Sequence, residues 1–489
     1  MLSRVARFLW KAVKWTFLVA VTLFALAVLI NWWDEPLSDD ARALLETTPV
    51  EVPDNENIFV AMAGFNAPEG KDIFEAGRRH IEEIEKALEQ DPMGLSLSFE
   101  HNKELWKREE LRWQEATPPF DCRINEETDY WECIHSQKER LEKTLEANET
   151  LIQRYRLLQD LPHFVGSPHS SPYFLWHSQA EYTWRALVAQ AILDIEAGNA
   201  EAGLTFFKKD MMLWRRSLEG SCYLVDTMIA VARMARNARG LSLLLSSPST
   251  KLKGQEAEWR ELLTPLSHEQ YSLRSAIEQE NRFVYRAFQG MKRWMPYREG
   301  AEPIKNYICQ NTTSDTGFCY EWLWWWLEQN AKAFFHPPVA TFNYSVPFYQ
   351  AWLNLTDLSW KDYIEQRDQV LTPLAELTEP RIGWIYNPVG KAQTRLLLSL
   401  WNDYVGRLHD LDTYLRLVRL QLELRLAKMS SEDVPSFIEK LDEAYCAPCS
   451  DFSWDVKTRM LSFQPYVKKE KGGLTRFAPA LVYVPEIRE

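Results

Sequence analysis

The chain has 489 residues, of which 46% are hydrophobic, so it can bury a large core. Its length allows for two or three units of the usual domain size, roughly 100 to 200 residues each. A formal net charge of −13 argues against binding to nucleic acid and against broad adhesion to anionic lipid.

The first predicted element is a membrane-spanning helix at residues 15–33. Its sequence, WTFLVAVTLFALAVLINWW, has nineteen residues without a charge, close to the ~20 that cross a bilayer as a helix. Charges on its two sides differ in sign: Arg4, Arg7, Lys11 and Lys14 before it, Asp34, Glu35, Asp39 and Asp40 after it. This asymmetry predicts that residues 1–14 are cytoplasmic and that the remainder is exported. A cleaved signal peptide is the alternative, because Ala25-Leu26-Ala27 has a small-x-small pattern, but the apolar run continues past it.

The exported part is acidic and contains all seven cysteines. Without the four amino-terminal cations it has 52 basic and 69 acidic residues, a net charge of −17, which is typical of a soluble, self-repelling surface. An oxidising compartment would allow the cysteines to pair. Two local pairs enclose polar loops and are predicted disulfides: Cys122 with Cys133, and Cys309 with Cys319.

The remaining cysteines are Cys222, Cys446 and Cys449. Cys446-Ala447-Pro448-Cys449 has the CxxC spacing of thioredoxin-like redox proteins. Only forty residues follow it, too few for the strands and helices that such a fold places after the motif. A structural bridge between Cys446 and Cys449 is therefore predicted, which leaves Cys222 without an assigned partner.

Helical periodicity dominates residues 34–300. Amphipathic helices are predicted at residues 72–89 and 134–161, and between them residues 91–133 form a non-periodic, disulfide-held loop. A helical hairpin at residues 182–214 turns at Gly198-Asn199 and is placed much as in a tetratricopeptide unit, but its 34-residue period does not recur. Further helices are predicted at residues 223–245, 255–263 and 269–294.

Residues 301–489 form an aromatic-rich helical region. The segment CYEWLWWWLEQ places four tryptophans in five positions. On a helical wheel Trp322 and Trp326 lie opposite the charges, whereas Trp324 and Trp325 flank the polar stripe. Trp324 and Trp325 are therefore the candidate aromatic contact surface. A second membrane span is excluded here, because the uncharged run between Glu321 and Glu328 has only six residues.

Beyond this segment the sequence predicts an irregular stretch after Pro337 and Pro338, then a helix at 360–377 that is broken or kinked at Pro373. A long helix follows at 388–428, capped by Asn387. Its apolar residues form a coiled-coil-like seam: Leu397, Trp401, Tyr404, Leu408, Leu411, Leu415, Val418 and Leu422. This seam predicts a central helix of an antiparallel bundle, with a homodimer seam as the alternative. A short β-hairpin at 454–463 and a strand at 480–484 complete the chain.

The predicted fold is therefore mainly α: one amino-terminal membrane helix, a large exported domain of packed helical hairpins, and a small carboxyl-terminal β-hairpin.

Searches for catalytic signatures find none of the common nucleophile, zinc or phosphate-binding motifs, so no catalytic residue and no cofactor is assigned. The best residual metal-ligating cluster is His163, His169, His177 and Glu181, in which His177 and Glu181 share a helix face. A chance grouping near a loop is the simpler interpretation. Glu278 and Glu280 point about 200° apart on a helix, and a solvated or salt-bridged surface explains them.

Two functions fit these features. The first is a membrane-anchored interaction or scaffold protein of the cell envelope, with its bulk in the periplasm and with envelope or inner-membrane proteins as partners. The second is a protein that binds or cleaves cell-wall polysaccharide or exopolysaccharide, suggested by 21 tryptophans, whose flat rings can pack on sugars. The absence of a catalytic signature favours a protein that is not an enzyme.

Overall fold

The computed structural model is mainly helical and has a small antiparallel sheet near its carboxyl end. It describes residues 2–46, 50–90, 111–114, 120–122, 124, 130–166, 178–221, 223–294, 335–377, 385–398, 400–440, 452–467 and 481–485. The predicted aromatic surface at Trp324 and Trp325 lies outside these ranges.

The helices of the amino-terminal half are α1 (Leu2–Trp32), α2 (Asp39–Leu45), α3 (Ile58–Ala63), α4 (Ile73–Gln90), α5 (Tyr130–Ser136), α6 (Lys138–Ala147), α7 (Glu149–Asp160), α8 (Ser178–Glu196), α9 (Ala200–Gly220) and α10 (Leu224–Ser246). The later helices are α11 (Glu256–Leu262), α12 (His268–Tyr271), α13 (Arg274–Trp294), α14 (Pro338–Thr356), α15 (Trp360–Leu377), α16 (Pro388–Leu398), α17 (Leu400–Leu426) and α18 (Val434–Ile438).

Helix α1 contains the predicted membrane span. Within its residues Trp10–Trp32 lies an 18-residue window that is unburied, and the mean hydropathy of the span is 2.3. It is the one helix of the described residues that is long and apolar enough to cross a membrane. The sequence prediction of one helix with the length and apolar composition of a membrane span is therefore confirmed.

The main core is a stack of consecutive helices. Helix α8 packs on α7 and α9, α9 packs on α10, and α10 packs on α17. The hairpin of α8 and α9 is close because residue 203 is glycine: a Cβ there would lie 2.4 Å from the carbonyl oxygen of Ala191 and 2.5 Å from Cγ1 of Ile195. A larger residue at 203 would force the two helices apart.

Helix α17 is the central helix of this core. Most of the seam residues, from Leu408 to Leu422, are fully buried. Side chains away from the seam, such as Tyr414, Leu417 and Leu420, are equally buried, as expected for a helix that is surrounded on all sides. From Leu408 to Leu422 the seam is therefore occupied within the chain, by α10 and its neighbours.

Long-range hydrogen bonds join α17 to the end of α10. Arg425 donates from Nη1 to the carbonyl oxygens of Leu244 at 3.1 Å and Leu245 at 2.7 Å, and from Nη2 to that of Thr250 at 2.6 Å. These carbonyls belong to the last turn of α10 and the turn after it, where a helix has few N–H partners of its own. The side chain of Arg425, 181 residues further along the chain, thus donates hydrogen bonds to the carbonyl groups at the end of α10.

The strands β1 (Phe452–Asp455), β2 (Met460–Phe463) and β3 (Leu481–Tyr483) form an antiparallel sheet in the order β1-β2-β3. Leu461 of β2 is opposite Trp454 of β1 and Val482 of β3. The sheet packs on α17 and α10, and Gln421 of α17 donates to the carbonyl oxygen of Tyr483 at 2.6 Å. The predicted hairpin is present, and the predicted strand joins it as the third member.

A second, smaller group of helices lies next to the anchor. Helix α14 packs on α13, α15, α16 and α2. Its contacts with α2 and α13 enclose a small separate core of Ala41, Phe288, Phe342 and Val346.

The prediction of an irregular stretch after Pro337 and Pro338 is wrong, because α14 begins there. Pro338 occupies the first turn, where its missing N–H has no helical partner to lose. Pro347 lies inside the helix without ending it.

The predicted single helix at 134–161 is also wrong. It is divided into α5, α6 and α7, with a break at Asn148 between α6 and α7. The buried Asn148 amide donates to the carbonyl oxygens of Gln114 and Thr144, both at 2.7 Å. The break thus ties the segment at 111–114 to the helices.

Candidate functional site

One predicted disulfide lies within the described residues. Cys122 and Cys133 are bonded, with a Cα–Cα distance of 5.8 Å and a sequence separation of 11. That prediction is confirmed. Cys222, Cys309, Cys319, Cys446 and Cys449 lie outside the described residues, so their predicted states remain predictions.

Glu181, one member of the predicted metal cluster, is held by three arginines. Its carboxylate accepts from Nε of Arg185 at 3.0 Å and from Nη1 of Arg236 at 3.2 Å, and it forms an ion pair with Arg233. Burial raises the pKa of Glu181, but the three guanidinium groups outweigh it and hold the pKa below its usual value. An ionised carboxylate surrounded by cations is a poor metal ligand and a poor proton donor.

Beneath this ion cluster lies a buried polar network centred on Asp210. The Asp210 carboxylate accepts from Tyr155 Oη at 2.8 Å, Trp184 Nε1 at 3.1 Å and Asn237 Nδ2 at 2.6 Å. Burial raises the pKa of Asp210, although the hydrogen bonds from Asn237 and Tyr155 act in the opposite direction. Arg233 lies over the Trp184 ring at 4.7 Å and connects the network to Glu181. The network joins α7, α8, α9 and α10, which indicates a structural role.

His163, the only other member of the predicted metal cluster that the structure describes, is not grouped with Glu181. His163 pairs with Asn57 in an isolated bridge and lies 3.9 Å from Glu56. His169 and His177 lie outside the described residues. Within the ranges that the structure describes, no three His, Cys, Asp or Glu side chains are grouped so that they could hold a metal.

Glu280, which the sequence predicts on the helix surface, is half-buried beside α10. It accepts from the backbone N–H of Leu224 at 3.3 Å, and burial raises its pKa. Asp226 lies near it on α10, and its pKa is raised well above the usual value by burial and by the Glu280 charge. Glu278, in contrast, lies 3.6 Å from Arg274 in a partly exposed ion pair, as expected.

A third cluster joins α15, α17 and the segment after β2. The rings of Trp360 and His409 stack with centroids 3.7 Å apart. Next to them the Asp410 carboxylate accepts from the backbone N–H groups of Tyr466 at 2.7 Å and Val467 at 3.1 Å. Burial raises the pKa of Asp410 to about 7. The cluster holds the carboxyl-terminal segment on α17, and its rings are largely occupied with each other.

The most distinctive arrangement is the junction between the membrane helix and the helical domain. Asn31 in the last turn of α1 is buried, with 5% of its surface exposed. Its Nδ2 donates to the carbonyl oxygens of Ala27 and Ile385, both at 2.8 Å, and its Oδ1 accepts from the N–H of Asn387 at 2.7 Å. All hydrogen-bonding positions of this amide but one are therefore used, two of them by the domain.

Asp34 extends the junction to α14. Its carboxylate accepts from the N–H groups of Val339 at 3.0 Å and Ala340 at 2.9 Å, in the first turn of that helix. The first N–H groups of a helix have no partner within it, and a negative charge at this end is favourable. A residue of the anchor thus caps a helix of the domain about 305 positions away.

The six residues between α1 and α2 are also fixed to the domain. The Asn343 amide on α14 donates to Glu35 Oε2 at 3.2 Å and to the Pro36 carbonyl oxygen at 2.9 Å, and its Oδ1 accepts from the N–H of Ser38 at 3.0 Å. Asn387 adds a further bond, because its Oδ1 accepts from Thr341 Oγ1 at 3.0 Å. Specific hydrogen bonds therefore hold the connection between α1 and α2 against the domain.

The sequence predictions include none of these junction residues as functional. One signal was available: Asn31 is an amide inside an apolar run, and polar groups in membrane helices are costly unless they have partners. Its partners, Ile385 and Asn387, are more than 350 residues away, so the sequence gives no way to identify them.

Comparison with known proteins finds no matching family model, no similar curated protein and no similar solved structure. The junction geometry is consequently the main guide to function. Its groups hold and orient the domain, and none of them is placed for proton transfer or nucleophilic attack.

Proposed function

We propose that this chain is a membrane-anchored interaction protein of the cell envelope. Helix α1 would lie in the inner membrane with residues 1–14 in the cytoplasm, and the helical domain would lie in the periplasm as a scaffold for envelope or inner-membrane proteins. The observation that carries the proposal is the junction formed by Asn31 and Asp34 with α14 and the start of α16.

A flexible tether would keep the domain near the membrane and leave its orientation free. The junction instead fixes the direction in which the domain extends from the end of α1. A fixed orientation is of little use for capturing a diffusing ligand. It suits a protein that must present one face to partners embedded in the same membrane, because such partners approach from a restricted set of directions.

Crosslinking in native membranes, followed by mass spectrometry, tests this proposal. Full-length wild-type chain is compared with a double variant, Asn31→Ala with Asp34→Ala, which removes both connections. Asp39→Ala is the matched control, because this nearby carboxylate has a side chain that is 99% exposed.

We expect the wild type and Asp39→Ala to give the same set of stoichiometric protein partners. The double variant should remain in the membrane fraction, since α1 is unchanged in its apolar part, but should lose these crosslinks. Recovery of monomer alone from the wild type would contradict the scaffold function. Equal crosslinking of the double variant would show that orientation is not what partners require.

A further inference from the structure

Phe335, at the start of the described segment before α14, touches the membrane helix well inside its apolar run. The rings of Phe24 and Phe335 meet edge to face, with centroids 6.1 Å apart. Phe24 lies eight residues before the end of α1, which is ~12 Å along the helix axis at 1.5 Å per residue. Side chains on a helix tilt toward its amino end, so the Phe24 ring lies no nearer to the outer end than its backbone does.

The anchor cannot be moved outward to place this contact in water. The uncharged residues 15–33 span ~28 Å, which is close to the ~30 Å of the hydrocarbon layer. Moving α1 out by the ~12 Å that separates Phe24 from its end would draw Lys11 and Lys14 into hydrocarbon, where charged side chains are strongly disfavoured. Phe335 therefore reaches below the outer surface of the bilayer when α1 spans it.

A second segment of the domain reaches the same side of the anchor. Ile385 is bonded to Asn31 through its carbonyl oxygen, and its side chain is 52% exposed. The two segments are connected, because the N–H of Val389 donates to the carbonyl oxygen of Phe335 at 3.4 Å. At the outer end of α1 the polar backbone of this second segment is also partly satisfied, since Asn31 supplies both a donor and an acceptor.

We infer that the protein makes a second membrane contact beside its spanning helix. Phe335 and Ile385 insert into the outer half of the bilayer next to α1, and their ligand is the acyl-chain and interfacial region of the lipid. The domain is thereby seated against the membrane surface. This inference rests on the proposed anchoring by α1, and it adds a lipid-facing surface that α1 alone does not provide.

Site-specific photocrosslinking to lipid in native membranes tests the inference. The photoreactive amino acid benzoylphenylalanine is placed singly in the full-length chain at four positions. Phe335 and Ile385 are the test positions. Val19 of α1 is the positive control, and Tyr483, which is 40% exposed on β3, is the negative control. Resistance to limited proteolysis checks that each variant is folded, and lipid adducts are identified by mass spectrometry.

We expect lipid adducts at Val19, Phe335 and Ile385, and at least a tenfold lower yield at Tyr483. Adducts at Val19 without adducts at Phe335 and Ile385 would overturn the second contact and leave the anchor intact. A chain without adducts at Val19 would overturn the anchoring itself and this inference with it. Ile385 is exposed, so benzoylphenylalanine at this position is not expected to disturb folding. If the Phe335 variant does not fold, the Ile385 variant still tests the second membrane contact.

Discussion

The backbone N–H of Asn387 donates to Oδ1 of Asn31 at 2.7 Å, and so joins the outer end of the membrane helix to a residue 356 positions later. Asn387 has a positive φ of 53°, a conformation that asparagine tolerates better than most residues. Its own Oδ1 accepts from the N–H of Gly390, in the first turn of α16. Two successive hydrogen bonds, through Asn31 and Asn387, thus connect the membrane helix to the first turn of α16.

Replacement of Asn31 by leucine should separate anchoring from docking. Asn31→Leu makes α1 more apolar, so membrane insertion is retained, but the Ile385 carbonyl and the Asn387 N–H lose their partners. Each buried unpaired group costs about 1 to 3 kcal/mol. We expect a lower unfolding temperature in detergent micelles and faster proteolysis after α1. Thr22→Leu is the control, because Thr22 is bonded only to its own helix at Leu18; equal behaviour of the two variants would contradict the junction's importance.

Glu181→Gln should destabilise the helix stack. The neutral amide leaves Arg185, Arg233 and Arg236 without their shared charge, and breaking a buried ion pair typically costs about 3 to 5 kcal/mol. We expect a loss of about 3 kcal/mol in the free energy of unfolding measured in urea at pH 7. Glu139→Gln provides the comparison, since its pair with Lys143 is exposed and such pairs contribute little. A loss no larger than that of the control would mean that the three arginines are stabilised in another way.

Asp410 should make stability depend on pH between about 4 and about 7. Its folded pKa is raised to about 7 from an unfolded value of 3.8. The contribution of Asp410 to the free energy of unfolding is therefore complete below the unfolded pKa. It is lost as pH rises through the folded pKa. Relative to Asp410→Asn, the wild type should lose about 4 kcal/mol of unfolding free energy across this window. Chemical unfolding at several pH values measures this difference.

The matched control for that experiment is Asp455→Asn. Asp455 is the exposed last residue of β1, and hydrogen bonds from Thr458 and Lys457 lower its pKa. Its contribution is lost only as pH falls through that lowered pKa, so the difference between wild type and this variant should be flat between about 4 and about 7. A flat difference for Asp410→Asn as well would contradict the raised pKa of Asp410.

The Cys122–Cys133 disulfide gives a test of both stability and compartment. Replacing both cysteines by serine releases a loop of eleven positions, for which chain entropy predicts a loss of about 3 kcal/mol. In cells, an exported domain should contain this bond in oxidised form. Alkylation of intact cells before and after reduction detects it. Free thiols at both positions in freshly quenched cells would place this region in a reducing compartment.

Local sequence patterns predicted the elements whose form depends on their own residues. The uncharged run gave α1, the three-and-four spacing of apolar residues from Trp401 to Leu422 gave α17, and the spacing of Cys122 and Cys133 gave a local bridge. Elements that depend on distant partners were missed. Helix α14 begins at two prolines that resemble a breaker, and its first turn is capped by Asp34 from the other end of the chain.

Dependence on distant partners also explains why the sequence did not predict the junction or the environment of Glu280. A helical wheel predicts that Glu278 and Glu280 face different ways, but it cannot tell which face meets α10. In the structure the half-buried Glu280 accepts from the N–H of Leu224 on α10, whereas Glu278 pairs with Arg274. Asn31 likewise has partners that no periodicity connects to it. Local sequence patterns predict the secondary-structure elements better than they predict the contacts between those elements.

Arg425 has a consequence for the order in which the molecule can be completed during synthesis. The carbonyl groups at the end of α10 stay without this partner until a further 181 residues have been made, and the apolar side of α10 stays uncovered until α17 arrives. Contacts between such distant segments form late, and a waiting hydrophobic face is prone to aggregate. A nascent chain that ends before α17 is therefore expected to aggregate more readily than the complete chain.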